Sequence, residues 1–308
     1  MARSLRRLVL TGVVAALLCT PATSLPAFAG DNGDPTPPSQ RKIFRDTDPH
    51  VPIPQHIQEK ANQKDAQAQA QYRRFLAEHQ IAGKGRIADT RELAPAAVDP
   101  GPGLPVSIIM GQTQQPQQTT YWCGPASVVQ ALALMGIYRQ QSEAAFRLKT
   151  TTAGTAWSGV ALDYYAPDVG RSYYPLADVM GSYMYLYARP GRYYPVTVPG
   201  MPSGVDVSNF RARVMSDTAA GYAVVGNVAE VDYAVGQAPR LPGHPSVVGP
   251  GGLQHIYTIH GYDTRDDTIF VTDPAANSVV SWGWQVPRYS RVNTGTLTVL
   301  NGDRGYVW

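Results

Sequence analysis

The chain has very little cysteine, two residues among 308. Cys19 lies in an N-terminal segment with the marks of a signal peptide, so an exported product keeps Cys123 alone, with no disulfide partner. Exported proteins pair their cysteines or avoid them. A solitary thiol is therefore either a reactive group or a small buried hydrophobe, and the count by itself leaves both readings open. Excess charge is lacking too. Arg3, Arg6 and Arg7 carry the whole formal charge of +3, and removing them brings the 26 cationic residues level with the 23 acidic ones. A neutral chain without a Lys/Arg run argues against nucleic acid or an acidic polymer as the main partner. Long apolar stretches are absent beyond the first residues. Leu8 to Leu18 is too short to span a bilayer, and no membrane anchor is expected.

What the N-terminus does contain is a basic start, that apolar run, and Ala27-Phe28-Ala29 as a small-x-small cleavage site. These predict a signal peptide over residues 1–29 and a secreted, extracellular product. Residues 30 to about 52 are Pro-rich and polar and read as a flexible lead-in. Pro54 to His79 is rich in Gln, Ala, Lys and Glu, with Ile57, Ala61, Ala68, Tyr72 and Phe75 at spacings of three, four and seven, which predicts one amphipathic helix. A Pro/Gly-dense linker over residues 94–105 follows. Residues 30–104 thus read as a flexible segment with one helix, and 105–308 as one domain.

Within that domain, Ala126 to Met135 is an apolar run ended by Gly136 and opened by Gly124-Pro125, which predicts a buried helix. Ser208 to Ala219 reads as a helix and Tyr222 to Val228 as the strand after it. His255–Tyr262, Thr268–Thr272 and Ser278–Val286 are β-rich and separated by polar turns. Helices first and strands later indicate an α+β class.

The lone thiol stands immediately before the buried helix. Backbone N–H groups and the positive end of the helix dipole favour thiolate, the nucleophilic form, at that position. A thiolate attacking a carbonyl needs donors for the oxyanion that develops, and Gln117, six residues ahead, can supply a side-chain amide, although Gln112, Gln114, Gln115 and Gln118 crowd the same loop. The base must be a histidine, and His244, His255 and His260 are the candidates in the domain. His244 ranks lowest, because Leu-Pro-Gly-His-Pro is a loop with no rigid element to hold an imidazole. His255 and His260 share one strand, five residues apart, and face opposite sides of it; the pattern leaves the choice open. Asp273 closes the next strand, where an antiparallel return brings a carboxylate near the imidazole to fix its tautomer. Three scattered histidines and one cysteine show no ligand-spaced metal cluster, so no metal and no other cofactor is expected.

Taken together, Gln117, Trp122-Cys123-Gly124-Pro125-Ala126-Ser127, His255 with Gly261-Tyr262-Asp263, and Asp273-Pro274 resemble the papain-like bacteriocin-leader (double-glycine) peptidase family and its exported, stand-alone relatives. The resemblance covers roughly residues 108–284 and preserves the order of the motifs. It implies a papain-like cysteine peptidase fold, with a helical half opening on the nucleophile helix and a C-terminal antiparallel sheet carrying His and Asp. It also implies Cys123 as nucleophile, His255 rather than His260 as base, Asp273 as its orienter and Gln117 at the oxyanion. Gln254 departs from the pattern, since many relatives have Gly there.

The expected function is hydrolysis of peptide or isopeptide bonds through a thioester, on a peptide or protein substrate, cell-wall proteins included. Transglutaminase-like acyl transfer shares the order Cys, His, Asp and is the alternative; a non-enzymatic secreted binding protein is the third reading. Two features stay unassigned. Nine tyrosines between Tyr164 and Tyr194 suit either a substrate groove or half-buried packing. The helix near residues 54–79 has the position of a prosegment, of a plain spacer or of a partner-binding helix.

Overall fold

The computed structural model describes residues 50–79, 101–163, 170–230, 239–247 and 252–308. The expected signal peptide, the lead-in up to residue 49 and most of the expected linker lie outside them. The described residues belong to one compact unit.

The first element, α1 (Gln55–Glu78), forms where the periodicity predicts it. A short strand, β1 (Ser107–Ile109), precedes three helices: α2 (Cys123–Leu134), α3 (Gln141–Leu148) and α4 (Pro175–Leu186). The remaining elements are β2 (Pro195–Thr197), α5 (Gly204–Ala219), β3 (Val224–Glu230), β4 (Leu253–Asp263), β5 (Thr268–Thr272), β6 (Tyr289–Asn293), α6 (Thr294–Leu300) and β7 (Gly305–Val307). The strands make one antiparallel sheet in the order β2-β7-β3-β4-β5-β6, with β1 pairing beside the far end of β4.

Local chemistry explains several boundaries. Ser203 and Asp206 form a reciprocal capping box at the start of α5, each side chain accepting from the other's backbone N–H. Pro175 occupies the first turn of α4, where its missing N–H costs nothing. Two apolar layers cover the two faces of the sheet. On one face Val128, Leu132, Leu148, Leu176 and Met180 of α2, α3 and α4 pack on Val225, Ile256 and Val307. On the other, Phe210 and Val214 of α5, Leu297 of α6 and Tyr72 and Phe75 of α1 pack on Val224, Tyr257 and Ile259. The class is the expected α+β, with the antiparallel sheet carrying His255 and ending next to Asp273.

One expectation needs correction, and two features left unassigned find their places. Ser278–Val286 is not a strand: Val279 N–H bonds Asn277 Oδ1 at 2.7 Å, and residues 283–285 form a single 3-10 turn. The strand falls later, as β6. The tyrosine-rich stretch is largely core, since Tyr174, Tyr183, Tyr193 and Tyr194 are buried while Tyr173, Tyr185 and Tyr187 are exposed; Tyr164 and Tyr165 lie outside the described residues. The helix before the linker packs on α5, through the Lys64–Asp217 and Arg213–Asp65 ion pairs (2.9 and 2.8 Å) as well as Ala68, Tyr72 and Phe75.

Candidate active site

Cys123 is the first residue of α2 and is half-buried. No side chain caps that helix at Trp122; Pro125 has no N–H, Ala126 N–H goes to the carbonyl of Trp122 at 2.9 Å, and the N–H of Gly124 reaches the sulfur. Gly124 is required beside it: a Cβ there would stand 2.8 Å from Thr155 Cβ and 3.2 Å from Ile256 Cδ1. Buried polar bonds fix α2 against β4. Ser127 Oγ donates to the carbonyl of Ile256 at 2.8 Å, Gln130 Nε2 donates to Thr258 Oγ1 at 2.9 Å, and Thr258 Oγ1 donates to the carbonyl of Ser127 at 3.1 Å. Because Ile256 follows His255, these bonds set the height of the thiol relative to the imidazole.

His255 is buried near the start of β4, paired with Val228 of β3. Its Nε2 lies 2.8 Å from Asp273 Oδ1, and its side chain hydrogen-bonds Cys123. With Nε2 engaged by the carboxylate, Nδ1 is left for the sulfur. Asp273 follows β5 directly, held by its own N–H on the carbonyl of Arg288 at 3.0 Å, and Ala275 N–H donates to Oδ1 at 2.8 Å. The structure thus brings Cys123, His255 and Asp273 into one hydrogen-bonded chain.

The electrostatics follow from that contact. Burial alone would raise the Cys123 thiol, yet the His255 imidazole and the N–H groups of Ile256 and Gly124 bring it below its ordinary value. Burial would likewise lower His255, and the Asp273 carboxylate with the thiolate outweighs it, holding the imidazolium well above the usual histidine range. Asp273 is itself buried, which works against ionisation, but the two histidines beside it keep it far below the ordinary carboxylate range.

His260 is elsewhere. Buried, it meets Thr272 Oγ1 at 2.8 Å through Nδ1 and packs near Phe270 and Tyr289. With desolvation as the cause, it is lowered to about 4 and stays neutral near pH 7. Gln117 is buried ahead of α2, its N–H on the carbonyl of Pro274 at 2.9 Å and its Nε2 donating to the carbonyl of Thr119 at 2.8 Å. An amide nitrogen has two protons, so one donor remains. Gln114, a competitor in the same loop, spends its amide on the carbonyls of Asp273 and Ala276 (3.1 and 3.4 Å).

One member of the cluster was not expected. His244, ranked lowest for want of a rigid support, is buried and gripped at both nitrogens: Nδ1 is 2.9 Å from Glu230 Oε2 and Nε2 is 2.8 Å from Asp273 Oδ2. The support comes from side chains of β3 and the β5 terminus rather than from its own loop. The partners lie 14 and 29 residues away in sequence, and no local pattern links them. His244, His255 and Asp273 also gather ligand-type atoms within 4.8 Å of one another, a grouping that spacing along the chain did not suggest. Each of the two Nε2 atoms already has one Asp273 oxygen, so the donor set is satisfied internally.

The family model described as the Peptidase_C39 like family matches residues 109–292. No curated protein matches the chain. Among solved structures, the peptidase domain of Streptococcus ComA, described as a bi-functional ABC transporter involved in a quorum sensing pathway, is 12% identical, covering 63% of this chain and 93% of that one at a TM-score of 0.35. Xylellain, a cysteine protease from Xylella fastidiosa, is 11% identical over 67% of this chain and 86% of its own, with a TM-score of 0.34.

Proposed function

Because the chain belongs to the Peptidase_C39 like family, we propose that it is a secreted cysteine peptidase in which Cys123 is the nucleophile, His255 the acid and base, and Asp273 the residue that orients His255. The observation that carries this reading is the unbroken hydrogen-bond chain from the half-buried thiol at the head of α2, through His255, to Asp273 Oδ1 at 2.8 Å. In the resting pair the sulfur proton sits on His255 Nδ1. The thiolate adds to a peptide carbonyl, and the backbone N–H groups at α2, joined by the second N–H of Gln117, receive the oxyanion. Collapse breaks the C–N bond as the imidazolium passes its proton to the departing amine. A water molecule, deprotonated by His255, then hydrolyses the thioester and the proton returns to the thiolate–imidazolium pair. The export reading rests on residues 1–29; among the described residues no helix is long and apolar enough to cross a membrane.

The test uses the protein recovered from the medium, expected to begin at Gly30, and a thiol-directed alkylating probe together with a peptide library, with and without an added amine. Labelling should fall on Cys123. The rate should rise with pH through a value below that of a free thiol, and turnover should fall again as His255 deprotonates above the ordinary histidine range. Cys123→Ala and His255→Ala should each lower kcat by about a thousandfold or more, His260→Gln by little. Labelling of Cys123 that is indifferent to pH would sink the proposal. Products carrying the added amine would move it to acyl transfer.

A further inference from the structure

The triad does not end at its carboxylate. Asp273 Oδ1 accepts from His255 Nε2 and Ala275 N–H, both at 2.8 Å, while Oδ2 accepts from His244 Nε2 at 2.8 Å. His244 is held in turn by Glu230 Oε2 at 2.9 Å, and Glu230 Oε1 takes Leu241 N–H at 2.6 Å, closing the loop that carries His244 onto β3. The ring of His244 stands edge-on to His255, centroids 4.9 Å apart, and lies 4.8 Å from Trp282.

A histidine that bonds a carboxylate at each nitrogen needs a proton on both, which makes it a cation. Burial opposes that charge, and Asp273 and Glu230 outweigh the opposition. The order from β3 to α2 is then anion, cation, anion, cation, anion: Glu230, His244, Asp273, His255, Cys123. Alternation lets two buried carboxylates and a thiolate share one site without mutual repulsion.

We propose that His244, gripped by Glu230, is a positioning residue for this site, fixing Oδ2 of Asp273 so that Oδ1 stays on His255. The inference rests on the peptidase reading above. Three donors on one carboxylate remove its freedom to swing, and the orientation is passed to the imidazole that moves the proton. The imidazolium of His255 faces the His244 cation across Asp273 and opposes it, so the Glu230 carboxylate helps keep His244 charged and donating at both nitrogens. The ionisable groups facing His255 are Asp273, Cys123 and His244, and those facing His244 are Glu230, Asp273 and His255.

Two substitutions test the two ends of this support. His244→Ala removes the ring and its bond to Asp273 Oδ2. Glu230→Gln leaves the His244 bond to Asp273 but takes away the carboxylate at Nδ1. The full-length secreted protein and both variants are compared for kcat, KM, thiol alkylation and the pH profile of turnover. His244→Ala should lower kcat by about tenfold to a hundredfold, the effect of deleting a hydrogen bond to a charged group, with KM within about twofold. Glu230→Gln should lower kcat by about threefold to tenfold with KM within about twofold, because the grip on His244 is weakened rather than removed. Should His244→Ala fail to fold, kcat of Glu230→Gln decides. Wild-type kcat in Glu230→Gln, or in a folded His244→Ala, overturns the inference while leaving labelled Cys123 and the peptidase reading intact. An unlabelled Cys123 in the wild type overturns both.

Discussion

His260 and His255 share β4, five residues apart, and titrate in opposite directions. Both are buried, so the difference is the partner: His255 faces a carboxylate, whereas His260 faces the hydroxyl of Thr272 at 2.8 Å. A buried histidine lowered to about 4 costs stability on acidification, because the unfolded chain takes up its proton near pH 6.5 and the folded chain does not. That contribution is fully present above about pH 6.5 and is lost as pH falls through about 4, to a limit of about 3 kcal/mol. His244 and His255, raised in the fold, contribute fully below about pH 6.5, and Asp273, depressed, loses its contribution only under about pH 4. The expected outcome is that His260→Gln flattens the fall in melting temperature between pH 6.5 and 4 while peptidase activity persists. Equal slopes for wild type and variant would refute it. Periodicity placed both histidines on one strand with opposite faces, and it stops there, since the carboxylate that separates them lies 18 residues beyond His255.

At the scale of elements, the position of the thiol depends on how closely the 150–157 loop approaches the first turn of α2. Thr155 Oγ1, bonded to Thr150 Oγ1 at 2.8 Å, lies over Gly124, where no side chain fits. Gly124→Ala favours the helix intrinsically but pushes Thr155 away, so it should cost about 1–3 kcal/mol of stability and lower kcat by displacing the wall beside Cys123. Adding Thr155→Gly should recover part of both losses, because the blocking atoms belong to that side chain; thermal melts and kcat of the single and double variants check this, and a single variant as active as wild type would refute it. Gly124 was legible in the sequence as part of a helix start; the residue it makes room for was not. The same distinction runs through the fold. α5, β4 and β5 follow their apolar patterns, and Thr268–Thr272 falls where the pattern puts it. Ser278–Val286 has strand composition, yet Gly283 packs onto the carbonyls of Ala275 and Asn277 in a turn that lays Trp282 on His244. Tertiary contact decides there, and composition misleads. Helix α4 was hidden for the opposite reason, its tyrosines and glycine reading as irregular although Tyr183 and Met180 fill the core.

For the whole molecule the question is what α1 does. A helix ahead of a Pro/Gly linker has the place of a detachable cover, but α1 lies with α5 on the face of the sheet opposite to α2, where the thiol is. Two kinds of contact hold it. Lys64, half-buried, reaches the buried Asp217 at 2.9 Å and stands 4.4 Å from the centre of the buried Trp308 ring. Burial lowers Lys64 and raises Asp217, both toward their neutral forms, which marks a pair whose desolvation outweighs its attraction. Lys64→Met alone leaves Asp217 unpaired and should cost about 3–5 kcal/mol, while Lys64→Met with Asp217→Leu should be near neutral. The main hold is therefore apolar: Ile57, Tyr72 and Phe75 are buried, and at about 1.5–3 kcal/mol each they approach the 5–15 kcal/mol that stabilises a typical domain. A chain that begins at Gly103 should accordingly lose cooperative unfolding and aggregate, with no gain in peptidase activity. A truncated chain that melts like the full one and cleaves faster would mean that α1 is a cover after all, and that its packing on α5 gives way in solution.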